Sequence, residues 1–267
     1  MDLASFIGVG LALLAIMIGI GSDLRLFMDI TSIAIVFGGT LGSLFVAYPI
    51  ERVMDIFKVL MGIFFYKPND MNSTIRELVT SSEKARREGL LSLEQDVEKI
   101  EDPFMKKGLQ MVVDGIDPEL LKSMMETDLD LREEEAMMYR NMFAYGATVA
   151  PSFGMVGTII GLVKMLGSLN DPSTVGPSFA IALTTTFMGA FLAYVFFMPM
   201  GEKLARRLQM EMRYRRMILE GILSIQAGDN PRILEEKLKG FLNEKELKSY
   251  ESSVSPQVAE GGVAGGS

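Results

Sequence analysis

The chain has no cysteine, no histidine and no tryptophan among its 267 residues. Without cysteine there is no disulfide and no thiolate metal site. Without histidine there is no imidazole to serve as base, proton shuttle or metal ligand near neutral pH. Acidic side chains are missing in a patterned way. None occurs in 3–21, 30–50, 146–169 or 176–200. A hydrolase or oxidoreductase built from this sequence would be short of reactive groups, so it reads as a non-enzyme with no resident cofactor.

Those four stretches are filled with apolar and small residues. At about 1.5 Å per helical residue, each is long enough to cross a hydrocarbon core of about 30 Å. Lipid offers no partner to a free N–H or C=O, so the backbone there must be helical. The expected fold is all-α: a polytopic membrane protein with four transmembrane helices and a helical cytoplasmic domain. The helices are expected within 1–21, 30–50, 146–169 and 176–200. Between the pairs lies a cytoplasmic helical domain, 51–145, and after them come cytoplasmic C-terminal helices, 201–250, and a disordered tail, 251–267. The first stretch has no basic start and no A-x-A cleavage pattern, so it reads as a retained span.

The net charge of −8 hides an asymmetry. All but Arg25 and Lys164 of the 26 lysines and arginines fall in 51–145 and 201–250. Arg52, Lys58, Arg132, Arg140, Lys203, Arg206 and Arg207 lie close to span ends, which places both segments and both termini in the cytoplasm. The links near 22–29 and 170–175 then lie outside. The acidic balance gives no footing for nucleic acid.

The insert reads as short helices. Asn72-Ser73-Thr74 offers a cap, Ser92-Leu93-Glu94-Gln95 fits a capping box, and Gly89 should end a helix. Asp102-Pro103, Asp117-Pro118 and Asn230-Pro231 each start one, the last running to about Lys248. Within the spans, Gly8 with Ala12, Ala15 with Gly19, and the run Gly38-Gly39-Thr40-Leu41-Gly42-Ser43 suit close helix contacts.

Hydroxyls are the only concentrated polar chemistry at membrane depth. Thr158 lies in the third span and Thr184, Thr185 and Thr186 in the fourth. A lone membrane threonine most often bonds back to its own backbone. Three in succession, at roughly 100° each, span more than half the helix circumference, so one should face a polar path. Threonine oxygens suit a small hard cation such as Na⁺, but they do not carry a proton by ionising. Pro151 and Pro199 each free a backbone carbonyl and kink a helix, or mark a plain helix boundary. Lys164 lies toward the far end of its span, where it can snorkel. Ion-driven machines need an ionisable group inside the membrane. Either this chain moves no cation, or a partner helix brings the carboxylate; the small residues favour a partner.

Several motifs carry a resemblance. They include Met1-Asp2-Leu3-Ala4, Asp29-Ile30-Thr31-Ser32 and the run from Ala85 to Glu94. Stronger are Val149-Ala150-Pro151-Ser152-Phe153-Gly154-Met155-Val156-Gly157-Thr158, Asp171-Pro172-Ser173-Thr174-Val175-Gly176-Pro177 and the run from Glu220 to Arg232. From Met1 to about Leu247 the chain resembles the MotA/PomA family, the flagellar stator subunits of the bacterial inner membrane. The resemblance implies a homopentameric ring around two copies of a single-span MotB/PomB-type partner, whose aspartate binds the ion. Ion passage would turn the ring against the rotor protein FliG. It implies that Arg86 and Glu94 engage FliG, though as residues alone they read as a solvated helix face. It implies functional roles for Pro151 and Pro199, and an ion path lined by Thr158, Thr185 and Thr186, as in sodium-type members. Na⁺ is the favoured ion and H⁺ the other candidate. Thr148 departs from relatives that carry an acid there. The alternatives are an ExbB/TolQ-type energiser, which has three spans rather than two pairs, and a non-conducting membrane scaffold.

Overall fold

The computed structural model describes residues 3–22, 24–64 and 69–260, and those residues contain helices and no strand. They comprise α1 (Leu3–Ile20), α2 (Leu24–Phe27), α3 (Ile30–Ala47) and α4 (Ile50–Phe64). Then come α5 (Met71–Glu88), a 3₁₀ turn (Leu90–Leu93), α6 (Glu94–Val97) and α7 (Pro103–Val113). The 50-residue α8 (Pro118–Gly167) and α9 (Pro172–Phe191) follow. A π-helical turn (Leu192–Phe197) joins α9 to α10 (Met198–Gln226), and α11 (Pro231–Lys239) and α12 (Glu244–Glu260) complete the chain.

Three helical segments are long and apolar enough to cross a membrane: Ile30–Ala47, Pro118–Gly167 and Ser173–Gln226. A shorter apolar stretch, Ile7–Ile20, lies in α1. Their surfaces are apolar too. Ile18 is 73% exposed, Val46 90% and Val163 62%. A protein in water hides such residues; a surface of this kind suits lipid or other helices.

The chain divides into two compact units. One holds residues 1–67 and 134–208, the other 68–133 and 209–267. These units cut across the expected blocks 51–145 and 201–250. The reason is α4. Its apolar face places Val53 and Ile56 in the first unit's core, beside Val36, Phe143, Leu192 and Phe197. Arg52 on the same helix pairs with Glu135, so both ends of the expected insert join the membrane-facing unit. Gly8, Gly19, Gly38 and Gly42 have open space around them, whereas Gly39 lies hard against the Phe153 ring.

The second unit packs Ile75, Leu78, Leu93, Met105, Met125 and Met217 into its interior. The expected starts at Asp102, Asp117 and Asn230 are capped by those side chains, but the two other expected caps are not. Asp70, not the Asn72-Ser73-Thr74 run, caps α5 by accepting from the Asn72 and Ser73 amides. Ser92 makes no capping box; it lies in the 3₁₀ turn and donates to the Gly89 carbonyl at 2.7 Å. Gly89 ends α5 at φ +85°, as its position between charged helix and turn predicts. Asp102 caps α7, accepting from the Phe104 and Met105 amides at 2.9 Å each. The helix expected from Pro231 to about Lys248 is instead two. It stops at Lys239 and restarts at Glu244, where Asn243 accepts from the Lys245 and Glu246 amides. The segment expected to be disordered from 251 is helical to Glu260, and 261–267 lie outside the described residues.

Candidate functional site

Glycine sets the distance between α8 and α9. A Cβ on Gly161 would stand 2.7 Å from the Ala182 amide nitrogen. One on Gly189 would stand 2.7 Å from the Ala150 carbonyl oxygen, and one on Gly154 would stand 3.0 Å from the Thr185 carbonyl oxygen. The two backbones approach to where no larger residue fits, the small-residue packing that membrane helices use. Gly157 faces the Thr185 side chain in the same way.

That approach brings hydroxyls and a carbonyl together. Thr158 Oγ1 donates or accepts across the gap to Thr186 Oγ1 in a short contact. Thr158 also approaches the Gly154 carbonyl at 3.0 Å and the Ala182 carbonyl at 3.1 Å. Thr186 approaches the same Ala182 carbonyl at 3.3 Å. The Ala182 oxygen is therefore shared by three hydroxyls from two helices, those of Thr158, Thr185 and Thr186. Thr186 is exposed and Thr158 half-buried, so the pair opens onto the surface of this unit.

The other threonines behave differently. Thr185 is fully buried against Gly157, and its hydroxyl bonds back to the Ile181 and Ala182 carbonyls at 3.0 Å each. It is a packing wedge between the helices. Thr184 is buried as well. Three consecutive threonines thus point three ways, and Thr186 is the one that meets Thr158. Spacing along the sequence shows that one must face out, but not which. Ala182 was not legible at all, because a carbonyl carries no sequence signal. The spacing of Gly154, Gly157 and Gly161 could have marked the contact.

Pro151 lies inside α8, its Cα 3.2 Å from where a Gly189 Cβ would be. Pro199 sits at the second position of α10, immediately after the π turn. Such turns widen a helix locally and take up the disruption a proline imposes. Beside Pro151 lies a cavity of about 700 Å³, lined among others by Arg140, Thr148, Tyr194 and Glu202. Lys164 is exposed in the last turn of α8. No cluster of Asp or Glu among the described residues is arranged to hold a metal ion.

In the second unit, Arg86 and Glu94 are both exposed, on either side of the Gly89 turn. Beside them Lys84 Nζ donates to Asp96 at 2.6 Å, tying α5 to α6. The hydrogen bond from Lys84, with a second from Lys99, holds the Asp96 carboxyl below the usual range despite some desolvation. Deeper in the unit, the Tyr214 hydroxyl donates to Asp102 at 3.2 Å and lies 3.2 Å from the Thr74 hydroxyl. Burial is the main cause that pushes this phenol up to about 12.

Residues 96–217 match the MotA/TolQ/ExbB proton channel family. Motility protein A of Borreliella burgdorferi is 43% identical over 95% of this chain and 99% of its own length. The chemotaxis protein PomA of Vibrio alginolyticus is 35% identical over 91% of this chain and 96% of its own. The flagellar MotAB stator complex of Bacillus subtilis contains a chain that superposes with a TM-score of 0.86 at 29% identity. It covers 93% of this chain and 99% of that one. Relatives of this identity span the whole fold, including both the threonine pair and the Arg86–Glu94 turn. The chain belongs to the motility protein A family, within the MotA/TolQ/ExbB proton channel family.

Proposed function

We propose that the chain is a stator subunit of the bacterial flagellar motor, converting ion flow into torque with a MotB/PomB-type partner. The observation that carries the ion path is the Thr158–Thr186 pair, with the Ala182 carbonyl, at the closest approach of α8 and α9. Three oxygens converge there, and the apolar stretches around them contain no acid. A hydroxyl–carbonyl cluster replaces part of a cation's hydration shell but does not neutralise its charge. The partner's single membrane helix supplies the aspartate, and the exposed Thr186 is where it docks. Full-length similarity to motility protein A and PomA supports the stator over an ExbB/TolQ-type energiser.

With α1 as the first of four spans, both termini lie on one side of the inner membrane, and the lysines and arginines near the span ends favour the cytoplasmic side. The exposed apolar faces of the first unit suit a homopentameric ring packed around two partner helices. The exposed Arg86 and Glu94 are the contact with FliG, held at a fixed spacing by the Gly89 turn and the Lys84–Asp96 pair. Na⁺ is the favoured ion because the cluster is built of oxygens that do not ionise. H⁺ is the second reading, favoured by the description of the family as proton channels.

The test replaces hydroxyls with methyls of equal size. Thr158→Val and Thr186→Val should leave the complex assembled, as judged by co-purification with the single-span partner and its mass. They should each lower bead rotation speed per stator unit several-fold. Normal speed in the double variant would refute the path.

A further inference from the structure

Between α3, α4 and the π turn that precedes α10 lies a crevice of about 300 Å³. Phe37, Leu41 and Phe45 form one wall, Val53 and Met54 another, and Phe196 closes the back. The lining exposes no polar atom. Its single hydroxyl, on Thr40, is buried and donates to the Val36 carbonyl at 2.6 Å. Water entering the crevice would find no partner, and apolar cavities of this kind stay dry. Left empty, the lining would forgo its packing contacts. Hydrocarbon is the filling that leaves no polar group unpaired.

The position of the crevice gives the source of that hydrocarbon. Leu41, Phe45 and Met54 line it yet stay exposed, so it opens onto the apolar surface beside the exposed Val46. Ile30–Ala47 is long enough to cross a membrane, and only Tyr48 and Pro49 separate it from α4. On α4, Val53 and Ile56 enter the core while Glu51 and Lys58 are exposed. A helix of this kind lies in the membrane interface, so the crevice opens where acyl chains meet headgroups. Both π turns contribute to the lining, Ala34–Gly38 through Phe37 and Leu192–Phe197 through Phe196. Turns of this type are frequent at functional sites.

We propose that this crevice binds one acyl chain of a membrane phospholipid, with the headgroup beside α4. A neighbouring helix is too thick for it. At a width of about 10 Å and a pitch of about 5.4 Å, one helical turn takes up roughly 400 Å³, more than the whole crevice. A single unbranched hydrocarbon chain is narrower. The headgroup is not selected by its charge. The charges of Glu51, Arg52, Asp55 and Lys58 cancel, and Arg52 and Lys58 are paired with Glu135 and Asp55. The bound chain packs against Phe37 and Phe196 and so braces the two π turns. None of these residues belongs to the Thr158–Thr186 cluster, so the site stands whether or not that cluster conducts.

The experiment uses the full complex, purified with its single-span partner in detergent and stripped of lipid. Dioleoyl phosphatidylethanolamine and dioleoyl phosphatidylglycerol are added separately. The melting temperature and the mass of the intact complex are read. Each lipid should raise the wild-type melting temperature, by mass action on the folded state, and both should do so equally. Leu41→Trp and Met54→Trp fill the crevice from opposite walls, so one remains informative where the other fails to assemble. Both should keep the wild-type mass and lose the lipid-dependent shift. Ile18→Trp, on the exposed surface of α1, should retain it. A shift in the crevice variants equal to that of the wild type overturns the proposal. So does a wild type that does not respond to lipid. A shift given by phosphatidylglycerol alone assigns the binding to a headgroup and overturns it too. A lower mass in both crevice variants assigns the crevice to a second copy of this chain, with the same consequence.

Discussion

Gly161 has no freedom to change. The Ala182 amide would stand 2.7 Å from its added methyl, and backbone does not yield as a side-chain tip does. Gly167, six residues on in the same helix, has nothing within 4 Å. Gly161→Ala should therefore lower the melting temperature of the detergent-solubilised complex, at a cost of about 1–3 kcal/mol from overpacking. Gly167→Ala should be neutral or slightly stabilising. Equal melting temperatures for the two would contradict the close approach that places Thr158 against Thr186. Tyr214 offers a second single-residue test. Its folded-state value of about 12 lies above the ordinary 10, so the buried phenol stays protonated where an unfolded one ionises. Stability should be independent of this group below pH 10 and should fall as pH rises from 10 through 12. Thermal melts across that window should show a fall that Tyr214→Phe reduces. An equal fall in the variant would locate the alkaline sensitivity elsewhere.

At the scale of elements, the turn between α5 and α6 carries the proposed rotor contact. Gly89 holds φ +85°, a region L side chains rarely adopt, so Gly89→Ala should cost about 1–2 kcal/mol in backbone strain. The same change displaces Arg86 relative to Glu94. Reversing Arg86 to Glu should reduce torque, and an opposite reversal in FliG should recover part of it. Full motility in the single variant, unchanged by salt, would remove Arg86 from the rotor contact. Arg87 lies next to it and pairs weakly with Glu83 at 3.9 Å, so it is the nearest substitute charge. Helix starts marked by Asp-Pro or Asn-Pro were legible in the sequence, because the proline fixes φ and the side chain accepts from the first amides. The Asp70 cap was not, since a run of three capping residues follows it after Met71 and competes for the helix start. The break between Lys239 and Glu244 was hidden as well: Gly240 and the capping Asn243 are its only signals, and the flanking residues are good helix formers. The π-helical turns, Ala34–Gly38 inside α3 and Leu192–Phe197 before α10, lie in apolar runs where no residue type announces an extra residue per turn.

At the scale of the molecule, hydropathy and charge made the helical, membrane-facing character legible, because both follow from solvent alone. The boundary between the two compact units was not legible. Composition changes at 51 and 145, but packing changes where α4 folds its Val53 and Ile56 into the apolar core. The candidate ion path was half legible. The threonines are visible in sequence, but the choice of Thr186 over Thr185 depends on which faces Gly157, and only the helix pair decides that. The proposal at this scale is that sodium passes a cluster of oxygens that do not ionise. The most direct measurement is bead rotation speed per stator unit against sodium concentration at fixed pH, in cells whose only stator is this chain with its partner. The account predicts a speed that rises with sodium and saturates. A speed that is flat across the titration would contradict it.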